Sequence, residues 1–160
     1  MSDRDPSRDP SRERLLEVYE YKDGILFNRI NRGRRGKRGA RVGSKTKRGY
    51  LYCTLDSLRY GVHRLIWIMH NSDNEEGLVI DHINGIKDDN RIENLRVVTY
   101  QENAFNTPAK GYYWVKEHQK WKAHIGVGGK RKFLGLFDNK EDAAQAYQVA
   151  KEKYHIIEKR

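Results

Sequence analysis

Asp81 and His82 stand side by side, Asn84-Gly85 follows them, and carboxamides recur at Asn94 and Asn103. The stretch offers one carboxylate, one imidazole and two amides at intervals suited to a strand, a loop, a second strand and a short helix. Such a set can hold one hard divalent cation beside one general base. Asp81 supplies a charged oxygen and Asn103 a neutral one, a pair that leaves coordination positions for phosphate oxygens and water. That donor chemistry suits Mg²⁺, with Mn²⁺ as the alternative. An imidazole, here His82, is the side chain whose unperturbed titration lies nearest neutrality and can take a proton from water. The chemistry implied is hydrolysis of a phosphodiester. Cys53 is the sole cysteine, so neither an intrachain disulfide nor a cysteine-rich structural zinc site is expected.

Neighbours on a regular strand point to opposite faces, so Asp81 and His82 can share a site only if the strand twists or ends there. Asn84-Gly85 supplies a turn at the right place. The pattern predicts a strand over 78–83, a loop over 84–93 and a second strand over 95–98. A helix should start at Thr99, because Thr99 with Glu102 makes a capping box, and Asn103 then falls in its first full turn, facing back to the hairpin. Upstream, residues 63–70 read as a short buried helix, apolar through Leu65, Ile66, Trp67, Ile68 and Met69. Residues 50–55 and 59–62 read as one hairpin, and 17–28 as another around Asp23-Gly24.

Residues 29–48 carry ten basic side chains and no acidic one, punctuated by Gly33, Gly36, Gly39 and Gly43. An uncompensated run of this kind predicts a phosphate-tracking arm, with Arg34, Arg35, Lys37 and Arg38 as contacts, ordered only on binding. Across the chain of 160 residues, 32 Lys and Arg outnumber 22 Asp and Glu, giving a net charge of +10 and a pI near 9.7. A polyanionic partner is therefore expected, nucleic acid first. Hydrophobic content of 37% favours two modest cores over one large one. No apolar run has membrane-spanning length and the N-terminus has no signal-peptide core, so the chain reads as cytosolic. Residues 1–13 are polar, with Arg4-Asp5-Pro6-Ser7 repeated as Arg8-Asp9-Pro10-Ser11, and read as a disordered tail.

The stretch from residue 50 to 106 resembles the HNH endonucleases, in the phage and intron homing type whose third motif position is asparagine. The resemblance rests on Asp81-His82, Asp89-Asn90-Arg91-Ile92-Glu93-Asn94-Leu95 and Asn103, with His63-Arg64-Leu65-Ile66-Trp67 before them. It implies a ββα metal fold in which Asp81 and Asn103 are ligands, His82 is the general base, and Asn94 ties the loop and orients the base. Asn90 would shape the loop, and Arg91 would reach a phosphate. A metal-dependent nuclease that nicks one strand of duplex DNA, in the cytoplasm of a phage-infected host, is the implied function.

Beyond a break at residues 106–110, three strands over 112–115, 121–127 and 132–137 precede a helix capped by Asp138 with Glu141. Over 111–155 this resembles the AP2 DNA-binding domain, which lays a three-stranded sheet in the major groove. Lys116, Arg131 and Phe133 fall where that family presents side chains to DNA; Tyr113, His118 and Gly126 depart from its arginines. Trp121 is expected in the core behind the sheet. The whole reads as α+β: a tail 1–13, a nuclease domain 14–107 and a DNA-binding domain 111–157, with a monomer favoured over a dimer. Two other functions stay open, a non-catalytic sequence-specific DNA-binding protein and an RNA-binding protein. Among the remaining histidines, His63 is expected to be a structural hydrogen-bonding residue and His70 to sit at a helix C-terminus. His118, His124 and His155 are expected on the surface or facing DNA.

Overall fold

The computed structural model describes residues 9–34, 36–71, 78–106 and 110–157. The chain divides into two units, the first running to Asn103 and the second starting at Ala104.

The first unit opens with helix α1, Arg12–Val18, whose N-cap Ser11 accepts a hydrogen bond from the Arg14 amide at 3.2 Å. Leu15 and Val18 are fully buried. This corrects the expectation of a disordered tail through residue 13. Asp9 also accepts from Arg64 Nε and Nη2 at 2.6 and 2.7 Å, and residues 1–8 lie outside the described residues. Strands β1 (Tyr19–Lys22) and β2 (Ile25–Asn28) form the expected hairpin. Asp23 and Gly24 take φ of 47° and 82°, the two left-handed positions of the tight turn that suits strand twist.

The basic arm departs from expectation. Arg41 bridges to Phe27, the Val42 amide donates to Leu26 O at 2.8 Å, and Val42 is buried in the core. Apolar Val42 thus anchors the end of the arm without a bound partner. After it, β3 (Ser44–Lys45), β4 (Leu51–Leu55) and β5 (Leu58–Gly61) form an antiparallel sheet in the order β3-β4-β5. Helix α2, Val62–Asn71, buries Leu65, Ile66, Ile68 and Met69 against α1, the first hairpin and β4. Each such side chain contributes about 1.5–3 kcal/mol when fully buried. Strands β6 (Leu78–His82) and β7 (Leu95–Thr99) pair antiparallel, joined by a loop that ends in a 3₁₀ turn, Ile92–Asn94. Helix α3, Tyr100–Phe105, starts where the capping box predicts: Thr99 Oγ1 accepts from the Glu102 amide at 3.2 Å, and Glu102 Oε2 from the Thr99 amide at 2.8 Å.

In the second unit, β8 (Tyr112–Val115), β9 (Lys120–Val127) and β10 (Lys130–Phe137) form a sheet in the order β10-β9-β8. Helix α4, Lys140–Tyr154, covers one face through Ala143, Tyr147 and Ala150, against Ala123 and Ile125. Gly111 has φ +65°, and a Cβ there would lie 2.0 Å from the Tyr147 ring, so only glycine lets the chain enter β8. The α4 cap is Asn139, which accepts from the Asp142 amide at 2.8 Å; Asp138, the expected cap, instead takes Lys120 Nζ at 2.6 Å. Trp121 shares its face with Ala123 by strand alternation, is half-buried outside the core cluster, and meets Trp114 edge-on at 5.6 Å.

Candidate active site

Strand β6 ends at His82, so Asp81 and His82 are the last two residues of its ladder with β7. Asp81 and His82 are both buried, 8% and 3% exposed, and meet different neighbours. Register sets Asp81 opposite Arg96, and Arg96 Nε and Nη2 both donate to Asp81 Oδ2, at 3.0 and 2.8 Å. The carboxylate is thus charge-compensated within its own hairpin.

His82 Nε2 lies 2.8 Å from Asn90 Oδ1. An amide oxygen only accepts, so Nε2 carries the hydrogen and Nδ1 is the basic nitrogen of the neutral ring. Two further rings wall it: His63 edge-on at 5.2 Å and Tyr50 tilted at 6.0 Å. Burial, and then the Asp81 carboxylate, raise the Tyr50 phenol above its ordinary pKa, so it stays protonated. Lys87 Nζ lies 5.1 Å from the Tyr50 ring centre. Burial, and then His82, push His63 down to about 3, so it is neutral. His63 Nδ1 is buried with no hydrogen-bond partner among the described residues. It is a ring wall.

Asn94 ties the loop together. Its Nδ2 donates to Asp89 O at 2.7 Å and to Asn84 Oδ1 at 3.0 Å, and its Oδ1 accepts from the Asn84 amide at 3.0 Å. The contact to the His82 ring belongs to Asn90, for which the sequence predicts only a loop-shaping role. Arg91 donates to Asp89 at 2.8 and 2.7 Å. Its guanidinium holds the Asp89 carboxyl below the usual range; the expected phosphate-reaching arginine is paired within the loop. Arg96 is the residue missed altogether, although counting the β6–β7 register outward from the turn places it opposite Asp81.

The structure therefore gathers Asp81, His82 and Asn94 into one hairpin, while Asn103 is exposed on α3, the helix that follows β7. A hard divalent ion fits this donor chemistry, with Asp81 giving a charged oxygen and Asn103 an amide oxygen. No group of three or more His, Cys, Asp or Glu converges among the described residues. Arg34, Lys37 and Arg38 are exposed on the arm, and Arg35 lies outside the described residues. In the second unit, Lys116 is exposed just past β8, and Arg131 and Phe133 are exposed on the sheet face away from α4. Lys122 Nζ sits 5.7 Å from the Phe133 ring centre, and Tyr113 meets His124 at 5.7 Å. Partial burial first, then Arg131 and Lys122, lower the His124 pKa, so this face is a positive, aromatic one. His155 is half-buried: its Nε2 bonds Gly126 O at 2.8 Å and its ring stacks on Phe105 at 4.0 Å.

The family model for HNH endonucleases matches residues 60–105. The chain is 31% identical over 98 residues to Protein 3.8 of Escherichia phage T7, covering 56% of this chain and 81% of that protein. It is 35% identical over 105 residues to DNA endonuclease I-HmuI of Bacillus phage SP01, covering 65% of this chain and 54% of I-HmuI, about half that protein's length. A solved structure of DNA binding and cleavage by the HNH homing endonuclease I-HmuI aligns over 90% of this chain and 85% of that one, with a TM-score of 0.47 and 23% identity. Among the described residues no helix is long and apolar enough to cross a membrane.

Proposed function

We propose that this chain, which belongs to the HNH endonuclease family and is a nuclease, hydrolyses phosphodiester bonds of duplex DNA and nicks one strand per binding event. The observation that carries this reading is the end of β6, where a buried carboxylate adjoins a histidine whose Nε2 is engaged by Asn90. HNH nucleases use a divalent metal, and here Mg²⁺ is the expected ion, held by Asp81 and Asn103. When bound, it would neutralise charge on the phosphate and on the leaving oxygen.

The remaining work falls to the chain. His82 Nδ1 accepts a proton from water as the water oxygen bonds to phosphorus and the bond to the leaving sugar oxygen breaks; that oxygen takes a proton from solvent. A positioned general base of this kind contributes about 10²–10⁴-fold. Asn94 holds the loop, and the Asp81–Arg96 pair holds the carboxylate in place. The arm, with Arg34, Arg35, Lys37 and Arg38, tracks phosphates. The second unit acts as an AP2-like module in which Arg131 and Phe133 meet DNA from the open face of its sheet and Lys116 from the turn after β8. The chain works as a monomer, in the cytoplasm of a phage-infected host.

One base in one site cuts one strand per encounter. Supercoiled plasmid incubated with the protein and Mg²⁺ should accumulate open circles first and linear product only later. Linear product formed without an open-circle intermediate would contradict single-strand nicking, and no cleavage in any divalent metal would contradict the function.

A further inference from the structure

Behind the His82 ring lies a chain of contacts that reaches back to the first hairpin. Asn90 is 1% exposed. Its Nδ2 is buried with no hydrogen-bond partner among the described residues, while its Oδ1 meets His82 Nε2 at 2.8 Å. A buried amide whose nitrogen bonds nothing is retained for its oxygen. That oxygen sits in a loop, and a loop holds a side chain only as well as its own backbone is held.

The backbone here is held from the N-terminal hairpin. Gly24, at the tip between β1 and β2, lies so close that a Cβ would come within 2.7 Å of the Arg91 nitrogen and 3.0 Å of the Asn90 carbonyl carbon. Its φ of +82° is left-handed as well. The Tyr21 hydroxyl, on β1, accepts from the Ile92 amide at 3.1 Å, and the Tyr21 ring meets His70 edge-on at 4.6 Å. The hairpin is itself seated in the core through Tyr19 and Leu26, both fully buried.

We propose that Asn90 and the tip of the N-terminal hairpin form the positioning device of the general base: Asn90 selects the His82 tautomer and ring angle, while Gly24 and Tyr21 fix Asn90. This rests on His82 being the base. A neutral imidazole has two tautomers, and only the one with hydrogen on Nε2 presents Nδ1 as a base. The hairpin, distant in sequence, therefore acts on catalysis without touching substrate.

The test uses the full chain and two readouts, ring-nitrogen NMR of His82 in its neutral form and single-turnover cleavage with duplex affinity measured in parallel. The wild type should show the Nε2–H tautomer. Asn90→Ala should show a mixture of tautomers and cleave about 10²-fold more slowly, with duplex affinity unchanged. Asn90→Asp keeps an acceptor oxygen and should restore the tautomer and much of the rate. Gly24→Ala should shift the ring signals and lower the rate, and Tyr21→Phe, the milder change, should do so less. An Nδ1–H tautomer in the wild type would overturn the proposal, as would an Asn90→Ala or Gly24→Ala protein with unchanged ring signals. If His82→Ala cleaved normally while the Asn90 variants still moved the ring, the functional reading would fail and the positioning device would stand.

Discussion

Replacing His82 by alanine is expected to slow DNA cleavage by about 10²–10⁴-fold while leaving duplex affinity at the wild-type level. The side chain is 3% exposed and its ring contacts are protein groups: Asn90 at Nε2, and the rings of His63 and Tyr50. A residue so enclosed contributes little surface for binding DNA, so its removal acts on the proton transfer. The variant also leaves the Asn90 amide oxygen without its donor, a cost of about 1–3 kcal/mol, so urea unfolding must confirm that it is folded at the assay temperature. Single-turnover cleavage and equilibrium binding on the same labelled duplex separate the two effects. Equal losses of rate and affinity would make His82 a structural residue.

Asp81→Ala is expected to remove cleavage to the same degree, by a different route. The substitution deletes the charged oxygen donor proposed for the cation and strips Arg96 of its partner, which it binds through two nitrogens at 3.0 and 2.8 Å. Orphaning a fully buried charge costs about 3–5 kcal/mol; Arg96 keeps about a quarter of its side-chain exposure, so hydration recovers part of that. The residual cleavage should depend far less on Mg²⁺ concentration than wild-type cleavage does. A cleavage-versus-Mg²⁺ titration of both proteins checks this, and an Asp81→Ala protein that reaches the wild-type rate at saturating Mg²⁺ would show that the ion is held elsewhere.

Local signals in the sequence proved legible where one short segment determines the outcome. The Thr99–Glu102 capping box starts α3 where expected, and Asp23-Gly24 makes the first hairpin. Asp81 and His82 lie at the end of a strand because Asn84-Gly85 turns the chain immediately after them. Failures arose where distant residues decide. Helix α1 is not legible although Ser11 caps it, because seven residues of mixed polarity carry little periodic signal; its stability comes from Leu15 and Val18 entering the core. Charge dominates the sequence of the basic arm, but Val42 anchors it in the same core. Asn90 and Asn94 are similar in type and both lie in one loop, so composition could not tell which meets the histidine. Only the fold, pressing Gly24 onto the Asn90–Arg91 backbone, separates their roles. His63 escaped for the same reason: its meeting with His82 joins α2 to β6 across a long stretch of chain.

If the chemistry belongs to the first unit and much of the affinity to the second, the two should come apart in a chain ending at residue 108. The core that positions Asp81 and His82 is built from residues before that point. The shortened protein, shown by thermal unfolding to be folded, should bind duplex DNA more weakly. The slope of log affinity against log salt should flatten by about 0.9 for each phosphate no longer neutralised. At low salt and saturating DNA it should nick plasmid at a rate within an order of magnitude of the full chain's. A folded but inactive truncation under those conditions would contradict this division and place the second unit in the active site itself.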